Sequence, residues 1–336
     1  LGERELVPFT YNAFPHGGFH RDGLKEQVYH PAWDDPERVQ FSIDVSRVAA
    51  ALSDAQDTGH ISISTHPGGY GAWSEGPSTL HAYSQGFAAV CEELARMEAA
   101  TGRRIVLSLE AEPRASSGNS AELAEFLVVT RMRAEKRMRE AGLADAGALA
   151  ARHLGTCLDA CHTAVEFEAP AEAWRLAQVG GACGKLQFSS ALRLEHPREQ
   201  RDAAQQLLNM AEPRYLHQVS GRGPGLSMAA SDLPEVSAAL DAWLACEEWR
   251  CHFHVPVDLD SVAGLATTRS FADGVLTAAL AAPEGWGTTD LHVEIETYTW
   301  DVIPEAARGT GALVDGLERE YRHVIERLAQ AGWQPN

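Results

Sequence analysis

A chain of 336 residues, 45% hydrophobic and 22% charged, has the length of one large domain or two medium ones and the make-up of a soluble globular enzyme. Its formal net charge of −19 repels polyanions, so a nucleic-acid partner would need a local basic patch. The Arg/Lys-rich run from Arg131 to Arg139 carries Glu135 within it and reads as a solvated helix face, so no nucleic-acid role is expected.

In chain order, Glu5 to Tyr11 predicts a strand, followed by a His-, Gly- and aromatic-rich loop that runs through Trp33 and is placed to cover a site. Asp35 and Pro36 start a helix to about Leu52. A strand over Gly59–Thr65 runs into the turn His66-Pro-Gly-Gly, and a long amphipathic helix covers roughly Ser78–Ala100. Then come a strand over Arg104–Glu110, helices over Ala121–Gly142 and Ala146–His153, and a strand that begins at Gly155 and ends in Asp159, with His162 three residues on. Pro170 opens the next helix, and Gly184–Ser190 is strand-like. A helix over Arg198–Ala211 precedes a short strand over Arg214–Val219 and a Gly-rich turn from Gly221 to Gly225. Helix Leu233–Cys246, strand Arg250–Val255, helix Thr267–Ala281, strand Asp290–Thr297 and helix Leu313–Gly332 complete the chain.

Strands and helices alternate at intervals of roughly 30–50 residues, which predicts parallel βαβ units and a TIM (β/α)8-type barrel in one domain, residues 1–336. Seven units are visible, so an eighth strand is expected before residue 1. Neither GxGxxG after the first strand nor GxxxxGK[ST] occurs, which disfavours a nucleotide-binding sheet. The six cysteines follow no disulfide spacing, and Cys157 and Cys161 read as small core residues. With no signal peptide and no apolar run of 18 or more residues, a reducing cytoplasm and no membrane insertion are expected.

Side chains alternate faces along a strand, and the strand ends put acids, amides and imidazoles where a core-filling strand would put Val, Ile or Leu. One face each is shared by Ser108, Glu110 and Glu112; Cys157 and Asp159; Lys185, Gln187 and Ser189; His252 and His254; and His292, Glu294 and Glu296. In a barrel these ends meet at one mouth, and so many buried ionisable groups call for a cation or for mutual pairing. Carboxylate-rich ligation without thiolate suits a divalent metal such as Mn, Mg, Co or Zn, one or two per chain. Asp159 has a plain alternative as the cap of the next helix. Glu112 and Glu294 have structural alternatives too, Glu294 as the partner of Lys185. Asn12, His66, Glu112 and His217 are candidates for substrate contact, although lone loop histidines such as His16, His20, His30 and His66 more often serve only as hydrogen-bonding residues.

These motifs resemble the xylose isomerase-like TIM barrels, which include endonuclease IV and the sugar epimerases. The matching stretches are Leu107–Pro113, Thr156–His162, Lys185–Ser189, His252-Phe-His254 and Glu294–Tyr298. Within that superfamily the chain looks most similar to EboE-type proteins of bacterial ebo clusters, described as metabolite traffic proteins. Lys25–Tyr29, Tyr215–Gln218 and Glu296–Trp300 carry this closer likeness. The resemblance implies that the family's first strand precedes residue 1. It also implies a metal held by Glu110, Asp159, Gln187 and Glu296, with Gln187 standing where the family usually has His. By analogy with endonuclease IV, His162, His252 and His254 would hold a second cation; by analogy with the epimerases, His162 would touch substrate instead.

Three functions stand as expectations. The first is an isomerase or epimerase of a small polyhydroxy carbonyl metabolite, with Glu110 and Glu296 as general base and acid and His162 orienting the substrate. The second is a hydrolase of a small phosphoester with two or three metals. The third is a carrier that binds a small polar metabolite without turnover. Self-association is left open by the sequence.

Overall fold

The computed structural model describes residues 6–19, 21–53, 59–71, 76–301 and 313–333. Glu5, where the first strand was expected to begin, and His20 lie outside these residues. Two six-stranded sheets organise the chain, one parallel and one antiparallel.

The parallel sheet is built first. β1 (Thr10–Asn12) leads through a long loop to α1 (Pro36–Leu52), whose start is fixed by Pro36 and by Asp35 accepting the Glu37 N–H at 2.9 Å. β2 (Ile61–Thr65) follows, then α2 (Pro77–Thr101), which stops at Gly102 in the left-handed region with φ 72°. β3 (Ile105–Glu110) leads to α3 (Ser120–Glu140), capped by Asn119, and to α4 (Ala146–His153). β4 (Leu154–Asp159) runs into α5 (Ala160–Val165) and α6 (Pro170–Ala177), and β5 (Cys183–Phe188) comes next.

The chain then leaves this sheet for about a hundred residues. β6 (Ser190–Glu195), α7 (Arg201–Leu208), the hairpin of β7 (Val219–Gly223) and β8 (Leu226–Ala230), α8 (Leu233–Ala238), α9 (Leu240–Trp243) and β9 (Glu248–Val255) come in succession. β10 (Ser261–Val262), β11 (Leu265–Thr267) and α10 (Arg269–Ala281) end the excursion. β12 (Val293–Ile295) rejoins β5 in parallel, and α11 (Leu313–Gln330) closes the described chain.

The parallel sheet has the order β1-β2-β3-β4-β5-β12 and curls until its two edges face each other. Asn12 Nδ2 donates to Glu294 Oε1 at 3.1 Å across that seam, and Ser62 Oγ meets His292 Nδ1 at 2.9 Å. Lys185, fully buried inside the curl, donates to Asn12 Oδ1 and to Glu294 Oε2. The α/β fold with a nearly closed, barrel-like parallel sheet therefore agrees with the expected class.

The expected count of seven parallel units is corrected to six parallel strands among the described residues. The strand carrying His252 and His254 pairs antiparallel with β6 and β7, in the second sheet of order β10-β11-β6-β9-β7-β8. β6 was not expected, although Ser-Ala-Leu-Arg-Leu-Glu alternates as an antiparallel strand should. Residues 214–218 are not a strand, and the expected Gly221–Gly225 turn narrows to Pro224-Gly225, with Gly225 at φ 67°; Gly221 lies in β7 against Trp243 and Cys246, where a side chain would clash. The expected helix Leu233–Cys246 is broken at Ala239.

The core lies between the parallel sheet and its helices. Trp33, with no exposed surface, stacks on Phe87 of α2 with ring centroids 3.7 Å apart, and Gly86 lets α2 approach, since a Cβ there would stand 2.3 Å from Trp33 O. Truncating such a buried tryptophan costs about 3–5 kcal/mol. One arginine of the basic run departs from the solvated-face reading. Arg131 is buried and donates from Nε and one terminal nitrogen to Leu154 O at 3.0 and 2.8 Å, fastening α3 to the start of β4. All six cysteines are buried and unpaired. No described helix is long and apolar enough to cross a membrane.

Candidate metal centre

The register of the parallel strands sets the acids side by side. Glu110 at the end of β3 stands opposite Cys157; Asp159 at the end of β4 stands opposite Gln187, which in turn stands opposite Glu294. Asp159 has two tasks. Its Oδ1 accepts the His162 N–H at 2.8 Å and so caps α5, which holds the His162 ring over the strand ends. Its Oδ2 is buried and has no hydrogen-bond partner among the described residues. One oxygen of the carboxylate caps the helix, and the other is left without a hydrogen bond.

The second sheet brings the other two imidazoles. β9 enters the mouth with its last turn of pleat, and the Nε2 atoms of His162, His252 and His254 form a triangle with sides of 3.1, 2.7 and 3.3 Å. The outer nitrogens decide what these corners carry. His162 Nδ1 faces Ala111 O at 2.8 Å, so it bears the proton. His252 Nδ1 faces Gln218 Oε1 at 2.6 Å, and the Gln218 amide is oriented by donating to Glu112 Oε1 at 2.9 Å and Pro113 O at 3.2 Å. His254 Nδ1 faces Ser189 Oγ at 2.7 Å, and that hydroxyl spends its own proton on Glu296 O at 3.0 Å. In its neutral form each ring therefore carries its proton on the outside and turns an Nε2 lone pair inward.

Three lone pairs so close need a cation among them, either a metal ion or a proton on one Nε2, which His162 holds up to about 9. A tetrahedral metal with bonds of about 2.0–2.1 Å to nitrogen puts its nitrogens roughly 3.3 Å apart, close to the triangle observed. The donor set around it fits as well: Asp159 with His162 and His254, Glu112 with His162 and His252, and Cys161 with His252 and His254 each bring ligand atoms within 4.8 Å of one another. Cys161, read from the sequence as core filler, thus stands against the metal-capable pair. The outer hydrogen bonds are of the kind that hold metal-binding imidazoles in one tautomer.

Glu110, Asp159 and Glu296 form a neighbouring group, also within 4.8 Å of one another. Burial pushes the Glu110 carboxyl up, and despite the pull of His162 the charges of Asp159 and Glu112 help hold it at about 8. Burial, then Glu110 and Asp159, raise Glu296 well above the usual carboxylate range. Burial likewise raises Glu112, which is hydrogen-bonded by Tyr29 and Gln218. For His162 burial works downward, but Asp159, Glu112 and Glu110 more than offset it and keep the ring protonatable up to about 9. Burial lowers His254 to about 4, even though Asp159 pulls the other way.

The sequence-predicted residues separate into three sets. Glu110, Glu112, His162, Gln187, His252, His254 and Glu296 line one cavity of about 390 Å³, with Asp159 just behind it. Gln187 lines it too, but its Oε1 accepts the Cys157 S–H at 2.9 Å, so it faces its neighbour strand. Asn12 lines the cavity with its side chain bound to Ser64, Lys185 and Glu294. His66 and His217 do not line it. His66 is buried against Phe14 and Tyr29, while His217 stacks on Phe253 at 3.7 Å and pairs with Glu212 at 3.2 Å. Lys185 and Glu294 form the ion pair that was one reading of Glu294. Ser189 was placed on the polar strand-end face without a role, and Gln218 and Tyr29 were not foreseen in the site, because their roles depend on long-range contacts that no local pattern marks.

No family model matches the chain, and no curated protein matches it. Among solved structures the chain is similar to a crystal structure of an IolI protein with a bound zinc atom, at 11% identity and a TM-score of 0.43. That likeness covers 97% of this chain and 77% of that one.

Proposed function

We propose that the protein is a divalent-metal enzyme that moves a proton next to the carbonyl of a small hydroxylated metabolite, an isomerase or epimerase in the manner of the xylose isomerase-like barrels and of EboE type. The observation that carries the reading is the triangle of inward Nε2 lone pairs on His162, His252 and His254 beside the unpartnered Asp159 Oδ2. These four residues would hold the metal. That assignment moves it from the Glu110–Asp159–Gln187–Glu296 set toward the imidazoles, since Gln187 is engaged by Cys157.

A bound metal would supply Lewis-acid polarisation of a carbonyl oxygen. Glu110 and Glu296 would move the proton. They crowd one buried spot with Asp159, so they do not all ionise together, and one keeps a proton while another accepts one. Two carboxyls in unlike protonation states, reaching the cavity from different strands, are what removal and return of a proton require.

A second reading rests on Asp159 belonging both to the histidine group and to the Glu110–Glu296 group. A second cation there would make a two-metal hydrolase. Metal analysis of the purified protein separates the two: one equivalent supports the isomerase, and two equivalents with phosphoester cleavage support the hydrolase. For the first reading, Glu110→Gln and Glu296→Gln are expected to keep the metal and lose solvent-deuterium incorporation next to the carbonyl across a panel of ketoses and keto-cyclitols. A protein that binds no metal after incubation with zinc or manganese refutes both.

A further inference from the structure

The cavity is two-sided. Its floor is the metal-capable cluster; its roof is apolar, drawn from separate chain segments. Phe14 and Phe19 come from the loop after β1, Tyr29 from the short helical turn at Lys25–Tyr29, and Tyr215 from the stretch before β7. Ile295 ends β12, and Tyr298 lies three residues beyond it. Phe19, Tyr215 and Tyr298 interlock, with centroids 5.1, 5.5 and 5.5 Å apart, and Tyr298 also lies 4.5 Å from the His254 ring.

A polyhydroxylated ligand needs hydrogen-bonding groups all round, and several of the polar groups near the roof are spent on the protein. Lys25 Nζ donates to Tyr215 O and to Asp232 Oδ2, both at 2.6 Å. Gln218 is committed to Glu112, Pro113 and His252. Tyr29 is bound to Glu112. A hydroxyl-rich body set under this roof would lose its hydration without replacement, whereas a ring or hydrocarbon body would gain by burial. Pockets for small molecules commonly join an apolar wall to a few placed polar groups, and here the polar groups stand at one end.

We infer that the ligand is amphiphilic: an oxygen-chelating head, an α-hydroxycarbonyl or vicinal diol, carried on an apolar aryl body that sits among Phe19, Tyr215 and Tyr298. The inference rests on the metal-centre reading above and narrows its substrate class from bare sugars to aryl-bearing hydroxycarbonyl compounds.

The test uses the zinc-loaded full chain and two probes with the same head, dihydroxyacetone and 2-hydroxyacetophenone, titrated by calorimetry. The aryl probe is expected to bind about 10- to 100-fold more tightly, the factor that burying one phenyl group brings. Phe19→Ala should reduce that ratio to under threefold with zinc content and dihydroxyacetone binding unchanged, and Phe19→Leu should restore part of it. Equal binding of the two probes to zinc-loaded protein, binding of neither, or a ratio indifferent to Phe19→Ala overturns the inference while leaving the metal reading in place. Failure to take up zinc refutes the metal reading instead.

Discussion

Gln218 is the residue on which the metal reading can be tried most sharply. It is 1% exposed, and its amide joins the His252 Nδ1 proton to Glu112 and Pro113. Gln218→Met keeps the length and packing of the side chain but neither accepts nor donates. His252 Nδ1 is then left with Glu112 Oε1 at 3.5 Å, and the ring gains freedom to carry its proton on Nε2, inside the triangle. Loss of such an outer hydrogen bond lowers metal affinity about 10- to 100-fold. That is about 1.4–2.7 kcal/mol. With an unfolding entropy of about 0.7 kcal/mol/K for a chain of 336 residues, the zinc-loaded variant should melt about 2–4 °C lower than its packing change alone explains. The packing change is read separately from melts of both proteins in EDTA, and the affinity from competition with a zinc-sensing dye. If zinc affinity stays within threefold of the parent and the melting difference is the same with and without EDTA, the tautomer argument is wrong.

Other outcomes rest on single contacts. Lys185→Met leaves the half-buried Glu294 at the sheet seam without its ion pair and should cost about 1–3 kcal/mol in urea unfolding, with much of the loss recovered in Lys185→Met/Glu294→Leu. Gly155→Ala puts a Cβ 2.6 Å from Ala182 O and Val106 Cγ1, so about 1–3 kcal/mol of stability should be lost in the same assay. Burial pushes Glu98 up, but His153 and Arg152 reverse this and hold it at about 2. Its folded pKa is thus below the unfolded value of ~4.3, and its contribution is present above pH ~4.3 and lost as pH falls toward 2. Glu98→Gln should flatten the fall of stability across that window, and an unchanged acid limb would rule the pairing out as a source of acid sensitivity.

The sequence made the parallel sheet legible because its signals are local. Ile61–Thr65 alternates apolar and polar residues, Ile105–Glu110 and Leu154–Asp159 are short and mostly apolar, and the helix start at Asp35-Pro36 carries its cap with it. The polar strand ends were legible for a similar reason: Glu110, Asp159 and Glu296 interrupt patterns that would otherwise fill a core. The second sheet was not, because alternation in β6 or β9 says that a strand exists but not which strand it pairs with. Placing His252 and His254 in the barrel wall came from that gap, yet the pair still reaches the mouth. His66 and His217 illustrate the converse, since a histidine beside a site in sequence can point its ring into packing.

The position of β9 also bears on how the protein holds together. His162 belongs to the barrel-like layer, while His252, 90 residues later, arrives on a strand paired wholly within the antiparallel layer. A cation held by both would be a cross-link, tying two separately hydrogen-bonded layers at one point much as a disulfide would. In the chain-entropy picture a tie across that many residues is worth about 4–5 kcal/mol. Metal supply would then govern the mechanical coupling of the layers as well as the chemistry between them. With the tie removed by a chelator, the amides of β7 to β9 should exchange with solvent sooner than those of β2 to β5.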